Sequence, residues 1–355
     1  MIRKFSLIIL FLVFASIAAI AQSGRIKPSE TPTAAPRPSV VYPPIEITAR
    51  KPQPKITPTP VPKIEQEDDD IIRVDSALVP IPVSVTDASG RAVTNLKLED
   101  FELTVDGKAA EIGELYRSET PVRLVMLFDN SSSVTQAREF EKKAAIRFFK
   151  RVLRPEKDLA ALFSVSTTTR LEQPFTKSTD QLVQAIENFP VPEGATALLD
   201  GIIKAADYLK EAEGRRVIVI VSDGDDTISD STFEEAVRVA QEANCQVYVT
   251  KTTDFENFKR TGIRGGNANI RSLAAERRMQ ELALQTGGAV YSPLDERELD
   301  QAFNQISAEL SQQYVLNYYP EESGKANEFR TIALKIKRRE NLTVRTRKGY
   351  FVSRK

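Results

Sequence analysis

The feature that most constrains this chain lies between residues 122 and 312, where short apolar segments alternate with amphipathic stretches. Residues 122–128, 159–165, 217–221 and 246–250 are strand-length and dominated by apolar side chains. Residues 137–152, 198–209, 233–243 and 274–285 instead repeat apolar side chains at helical spacing. Strands that are apolar on both faces and alternate with helices predict an α/β fold, a doubly wound and mostly parallel sheet covered on both sides. In such sheets a ligand site gathers at the carboxyl ends of the strands.

The flanks follow a different rule. Residues 71–115 alternate strand-like runs with turn signals, among them Asp87-Ala88-Ser89-Gly90 and Asp106-Gly107, which is a hairpin pattern. Strand-like runs return at 314–319, 330–336 and 342–346. Neither flank alone has enough strands to bury a core. Both are therefore expected to pair into one small β-sandwich with the α/β unit inserted between them; two independent hairpin appendages are the rival arrangement. The expected divisions are 71–118 and 313–355 for the sandwich and 119–312 for the insert.

The first 21 residues read as a secretory signal: Arg3 and Lys4, an apolar run over 5–20, and Ala19-Ile20-Ala21 ahead of a cut before Gln22. An uncleaved signal would be the chain's one membrane anchor. Residues 22–70 shift to Pro, Thr, Lys and Ser, the composition of a disordered, semi-rigid spacer. The acidic run at 65–70 lacks the spacing of a calcium loop and reads as a solvated linker end.

Composition excludes several kinds of chemistry. The chain has no histidine, so the commonest general base and zinc ligand are missing. Lys+Arg and Asp+Glu both number 49, which leaves no global field to attract nucleic acid. The basic cluster Lys335, Lys337, Arg338 and Arg339 leads into a turn and reads as edge protection. Cys245 is the only cysteine and reads as a buried residue opening a strand. The glycosylation-like triplets beginning at Asn130 and Asn341 read as chance matches.

What remains is oxygen chemistry. The first apolar strand runs into Asp129-Asn130-Ser131-Ser132-Ser133, a later turn reads Glu193-Gly194-Ala195-Thr196, and the strand at 217–221 ends in Ser222-Asp223-Gly224-Asp225-Asp226. Carboxylates and hydroxyls at three strand ends or turns suit a hard cation. Asp225 and Asp226 read as solvated loop acids or helix caps. Residues 252–272, rich in Gly, Asn and Arg, are expected to form a mobile loop on the same rim that contributes to partner selection.

At these residues the sequence resembles the von Willebrand factor type A family. That family's metal-ion-dependent adhesion site combines Asp-x-Ser-x-Ser with a distant Thr and a later Asp-Gly, and Asp129, Ser131, Ser133, Thr196 and Asp223 match it. The resemblance implies Mg²⁺, with Mn²⁺ or Ca²⁺ as alternatives, held directly by Ser131 and Ser133 and directly or through water by Thr196. Asp129 and Asp223 would hold waters and orient the serines. It implies a protein partner that offers an Asp or Glu to the metal's open position, and binding rather than catalysis. The flanks, including Leu98-Glu99-Asp100-Phe101 and Arg347-Lys348-Gly349-Tyr350-Phe351, resemble secreted type A proteins common in Acidobacteria. Two other roles stay open: a structural envelope component whose metal stiffens the rim, and a Mg²⁺-dependent phosphoryl hydrolase. Ser131 stands where an aspartate-nucleophile phosphatase needs its second Asp, which disfavours the hydrolase.

Overall fold

The computed structural model describes residues 78–117, 120–135, 138–263, 270–320, 325, 327–337, 339 and 341–352. The signal, the proline-rich spacer and the acidic run at 65–70 lie outside the described residues.

Four strands come first: β1 (Val79–Thr86), β2 (Phe101–Val105), β3 (Lys108–Ala110) and β4 (Ile112–Arg117). Along β2, Phe101, Leu103 and Val105 are buried while Glu102 is exposed, the alternation of a strand with one face on a core. Asp106 and Gly107 have φ of 49° and 76°. This two-residue turn with positive φ matches the strand twist, which is why Asp-Gly occupies it.

The insert begins with β5 (Val122–Asp129) and α1 (Arg138–Val152), followed by β6 (Leu159–Val165) and β7 (Thr169–Thr176). Next come α2 (Thr179–Glu187), α3 (Leu198–Lys210), β8 (Arg215–Ser222), α4 (Phe233–Glu242) and β9 (Cys245–Lys251). It closes with α5 (Thr253–Thr261), α6 (Ile270–Thr286), β10 (Val290–Tyr291) and α7 (Glu296–Gln312). The sheet order is β10-β9-β8-β5-β6-β7, parallel except for β7. Two cores cover it. Leu124, Met126 and Phe128 of β5 pack with α1 and α7, whereas Val125 and Leu127 pack with α3. Burial on both faces is the reason these strands read as continuous apolar runs. Cys245 opens β9, and burial pushes its thiol up to about 12, well away from reactivity.

The chain returns to strands at β11 (Tyr314–Tyr318), β12 (Phe329–Ile336), β13 (Thr343–Thr346) and β14 (Gly349–Phe351). These do not form separate appendages. They interleave with the first four as β13-β1-β11-β4 and β14-β12-β2-β3. Val83 pairs with both Tyr314 and Thr346, and Leu334 pairs with Leu103. Ile81, Val83, Phe101, Leu103, Tyr314 and Leu316 form the shared core, so the two flanks make one β-sandwich.

A buried polar network joins the sandwich to the insert at the end of α7. Glu309 there is ion-paired to Arg345 of β13. It also accepts hydrogen bonds from Tyr248 at 3.2 Å, Tyr291 at 3.1 Å and Ser84 at 3.4 Å. Arg215, at the start of β8, donates to the Leu310 carbonyl at 2.6 Å and to the Gln313 side chain. Arg347 donates to the Pro80 carbonyl at 2.7 Å and to Asn244.

One expectation is corrected. The described part of 252–272 is not a structureless loop, because Thr253–Thr261 is helical and ends on Gly262 at φ 69°, and α6 begins at Ile270. Phe255 supplies the reason: it is buried and stacks on Phe140 of α1, with ring centroids 4.2 Å apart. An apolar anchor of this kind stabilises a short helix whose composition alone suggests a loop.

Candidate metal centre

The candidate site lies where β5 and β8 end and the turn before α3 approaches them. Asp129 closes β5 and is almost fully buried at 1% exposure. One of its carboxylate oxygens accepts the Ser131 amide at 2.9 Å, and the other accepts the Ser222 hydroxyl at 2.6 Å. The first bond bends the chain back just after the strand. The Ser131 and Ser133 hydroxyl oxygens then lie 2.8 Å apart. Ser131 is buried and Ser133 is exposed, so the pair opens outward.

The other segments are tied in through their backbones. The Asn130 carbonyl accepts the Glu193 amide at 3.0 Å, and the Ser132 amide donates to the Gly194 carbonyl at 3.2 Å. Thr196 is buried, its amide donating to the Thr227 hydroxyl at 2.9 Å and its carbonyl accepting the Thr227 amide at 2.8 Å. Asp223 accepts the Asp225 amide at 2.9 Å. Asp129, Ser131 and Ser133 are thus linked side chain to side chain or through one amide, and Asp223 follows Ser222, which holds Asp129. The Thr196 segment is locked to both neighbouring loops by main-chain bonds.

The electrostatics show what the site lacks. Burial first, and then the neighbouring Asp223 carboxylate, push Asp129 up to about 6. Burial first also raises Asp223, with Asp225 adding to it, while bonds from the Asp225 amide and Ser133 and the charge of Arg271 pull the other way. Two neighbouring carboxylates whose ionisation burial resists, one buried and one half-buried, mark a place where positive charge is favourable. The Arg271 guanidinium is bonded to Asp225 at 2.7 Å.

This donor set fits a small divalent cation. Among the described residues no three Cys, Asp or Glu side chains converge as a metal cage, so hydroxyls have to take part. The Ser131–Ser133 oxygen separation of 2.8 Å is close to the roughly 3.0 Å between adjacent ligands of octahedral Mg²⁺ with bonds of about 2.1 Å. A family model for the von Willebrand factor type A domain matches residues 124–305. The chain belongs to the von Willebrand factor type A family.

The type A domain's six-stranded sheet and helices account for the matched span, and the sandwich strands fall outside it. A von Willebrand factor type A protein from Catenulispora acidiphila is similar at 11% identity and a TM-score of 0.43, covering 77% of this chain and 73% of that one. The PilB minor pilin of Streptococcus sanguinis is similar at 15% identity and a TM-score of 0.42, covering 54% of this chain and 62% of the pilin. The conserved hypothetical protein BatB of Bacteroides thetaiotaomicron is similar at 16% identity and a TM-score of 0.42, covering 53% of this chain and 98% of BatB. The chain thus spans less than two thirds of the pilin's length. No curated protein matches it in sequence.

Several supporting residues of this type A domain were not legible as site residues. Ser222 carries no signal beyond its place before Asp223-Gly224, yet it holds Asp129 from β8. Arg138 is buried, bonds Asn130 and the Pro190 carbonyl, and lies 5.6 Å above the Phe189 ring. It joins the serine turn to the loop that leads to Thr196. Asp226 accepts the Leu199 amide at 3.1 Å, capping α3 from a distant loop. Asp225 is engaged by Arg271, so neither acid is merely solvated. Asn130 is 3% exposed, which is unsuited to a glycosylation acceptor.

Proposed function

We propose that the chain is an exported, metal-dependent protein-binding module. Its type A domain would hold Mg²⁺, or Mn²⁺ or Ca²⁺, at a metal-ion-dependent adhesion site made by Asp129, Ser131, Ser133, Thr196 and Asp223. Ser131 and Ser133 would be direct ligands. The carboxylates would neutralise charge and orient the hydroxyls, and a partner's Asp or Glu would complete coordination. One observation carries the reading: two hydroxyl oxygens 2.8 Å apart open outward beside two carboxylates whose ionisation is disfavoured by burial. Neutral hydroxyl ligands leave a bound cation electrophilic towards an incoming carboxylate.

Export rests on residues 1–21, and the spacer at 22–70 would hold the folded part away from an envelope surface. Binding is favoured over metal-assisted hydrolysis because Asp225 and Asp226, two of the nearby acids able to serve as a base, are committed to Arg271 and to the Leu199 amide of α3. A structural role for the metal has one observation in its favour: Asp129 is already bonded to Ser222 and Ser131.

A pull-down from the organism's envelope fraction separates these readings. Capture by the wild-type chain in Mg²⁺ should be lost in chelator and in Ser133→Ala, whose exposed position spares the fold. Capture that survives both changes excludes the adhesion reading and leaves the structural one.

A further inference from the structure

The outer face of α6 carries exposed apolar side chains that the metal site does not explain. Ile270 is 88% exposed, Leu273 43% and Leu284 49%. With Arg277 they fall within one narrow stripe at 100° per residue. Arg277, Arg278, Leu284 and Phe233 of α4 line a shallow groove of about 500 Å³. Neither arginine makes an ion pair among the described residues, and Glu281, the groove's acid, is held by the Gln285 amide at 2.6 Å. A surface helix ordinarily turns charged and polar side chains outward. Here the outward face carries Ile270, Leu273 and Leu284 together with Arg277 and Arg278, and Glu281 is its one acid among the groove residues.

The stripe begins at the metal rim. Arg271, beside Ile270, bonds Asp225, and Glu276 one turn on bonds the buried Lys251 at the end of β9 at 2.9 Å. From Ile270 to Leu284 the helix rises about 21 Å, which an extended segment of roughly six residues covers. Two further exposed aliphatics, Val191 at 80% and Ile228 at 43%, sit on the loops flanking Thr196.

We infer that α6 is a docking track for an extended protein segment in which acidic residues alternate with aliphatic ones, entering at the metal rim and running down to the Arg277–Arg278 groove. This rests on the adhesion reading for its starting point, but the track has its own contacts. Charge complementarity selects the occupant: two guanidinium groups that make no ion pair among the described residues, set beside leucine and isoleucine side chains, favour carboxylates flanked by apolar residues.

The test is selection of a phage-displayed random twelve-residue library on the immobilised full chain in Mg²⁺. Enriched peptides should combine Asp or Glu with Leu, Ile or Val. Their affinity should fall about tenfold for the double variant Arg277→Glu/Arg278→Glu, whose metal-induced thermal shift stays at the wild-type value. Enrichment of peptides lacking acids, unchanged affinity for the double variant, or no enrichment at all overturns the track. Binding that is lost in the double variant but indifferent to chelator keeps the track and sinks the metal-dependent reading. Binding lost in chelator but unchanged in the double variant does the reverse.

Discussion

Two regions of this molecule bury carboxylates, and they treat them in opposite ways. At the junction between insert and sandwich, Glu309 has a resident cation in Arg345 and three hydroxyl donors in Tyr248, Tyr291 and Ser84. Burial first, and then the Glu309 charge, hold the Tyr248 and Tyr291 phenols above their ordinary range, so both remain donors. At the opposite rim, Asp129 and Asp223 have hydroxyl and amide donors, and Arg271 is bonded to their neighbour Asp225. The junction is closed within the chain. The rim leaves its charge for something else to balance, which separates a joint from a site.

The largest expected effect comes from opening the joint. Arg345→Ala leaves Glu309 buried without its cation, and removing one partner of a buried pair costs about 3 kcal/mol. Urea denaturation should show that loss as one cooperative transition; two separated transitions would mean that sandwich and insert unfold independently.

The rim should respond to metal where the joint does not. With Mg²⁺ at about 100 times its Kd, stability should rise by roughly 2.7 kcal/mol. Ser131→Ala and Ser133→Ala should erase that gain, and Arg345→Ala should keep it. Thermal melts with and without chelator measure both.

Proton competition sharpens the contrast. Asp129 sits at about 6 in the folded chain against 3.8 as its reference. A carboxyl raised by folding keeps its proton longer in the native state, so the metal-free protein loses stability as pH climbs from about 4 to about 6 and levels off above. Asp87, Asp106, Asp158 and Asp200 are shifted down and act in the opposite sense. The difference between wild type and Asp129→Asn isolates the group of interest. That difference should shrink when Mg²⁺ is present, and a pH-independent difference would contradict the assigned electrostatics.

The smallest effect belongs to Asp226→Ala, which removes a distant cap from α3 at a cost of about 1 kcal/mol. The metal-induced thermal shift should be unchanged, since Asp226 is spent on the Leu199 amide and the Ser229 hydroxyl.

The sheet is readable because its central strands are apolar on both faces: 159–165 matches β6, and 122–128 stops one residue short of β5. The apolar pattern starts β8 two residues late because Arg215 and Arg216 look like loop residues. Arg215 begins a strand because Leu310 and Gln313 satisfy its guanidinium in the interior. β7 escapes the pattern for another reason: Leu171 is exposed, Pro174 reads as a strand breaker although the edge strand runs through it, and no apolar alternation marks an antiparallel edge. The five candidate positions stand out only through the type A motif that they match. Ser222 is hidden, because it reaches Asp129 only after distant strand ends meet, whereas Asp226 does the helix capping that a loop acid suggests, on the Leu199 amide of α3.

The interleaving of the sandwich has a consequence for the order in which the chain can be completed. β1 lies between β11 and β13, and β2 lies between β12 and β3, so the earliest strands wait for the last ones to be made. Until then their edges offer unpaired amides to any neighbour, the usual route to misassembly. The α/β insert, whose strand pairings all fall within its own residues, is under no such delay. It is expected to fold first and to bring residues 117 and 314 together, acting as the template on which the two halves of the sandwich find each other.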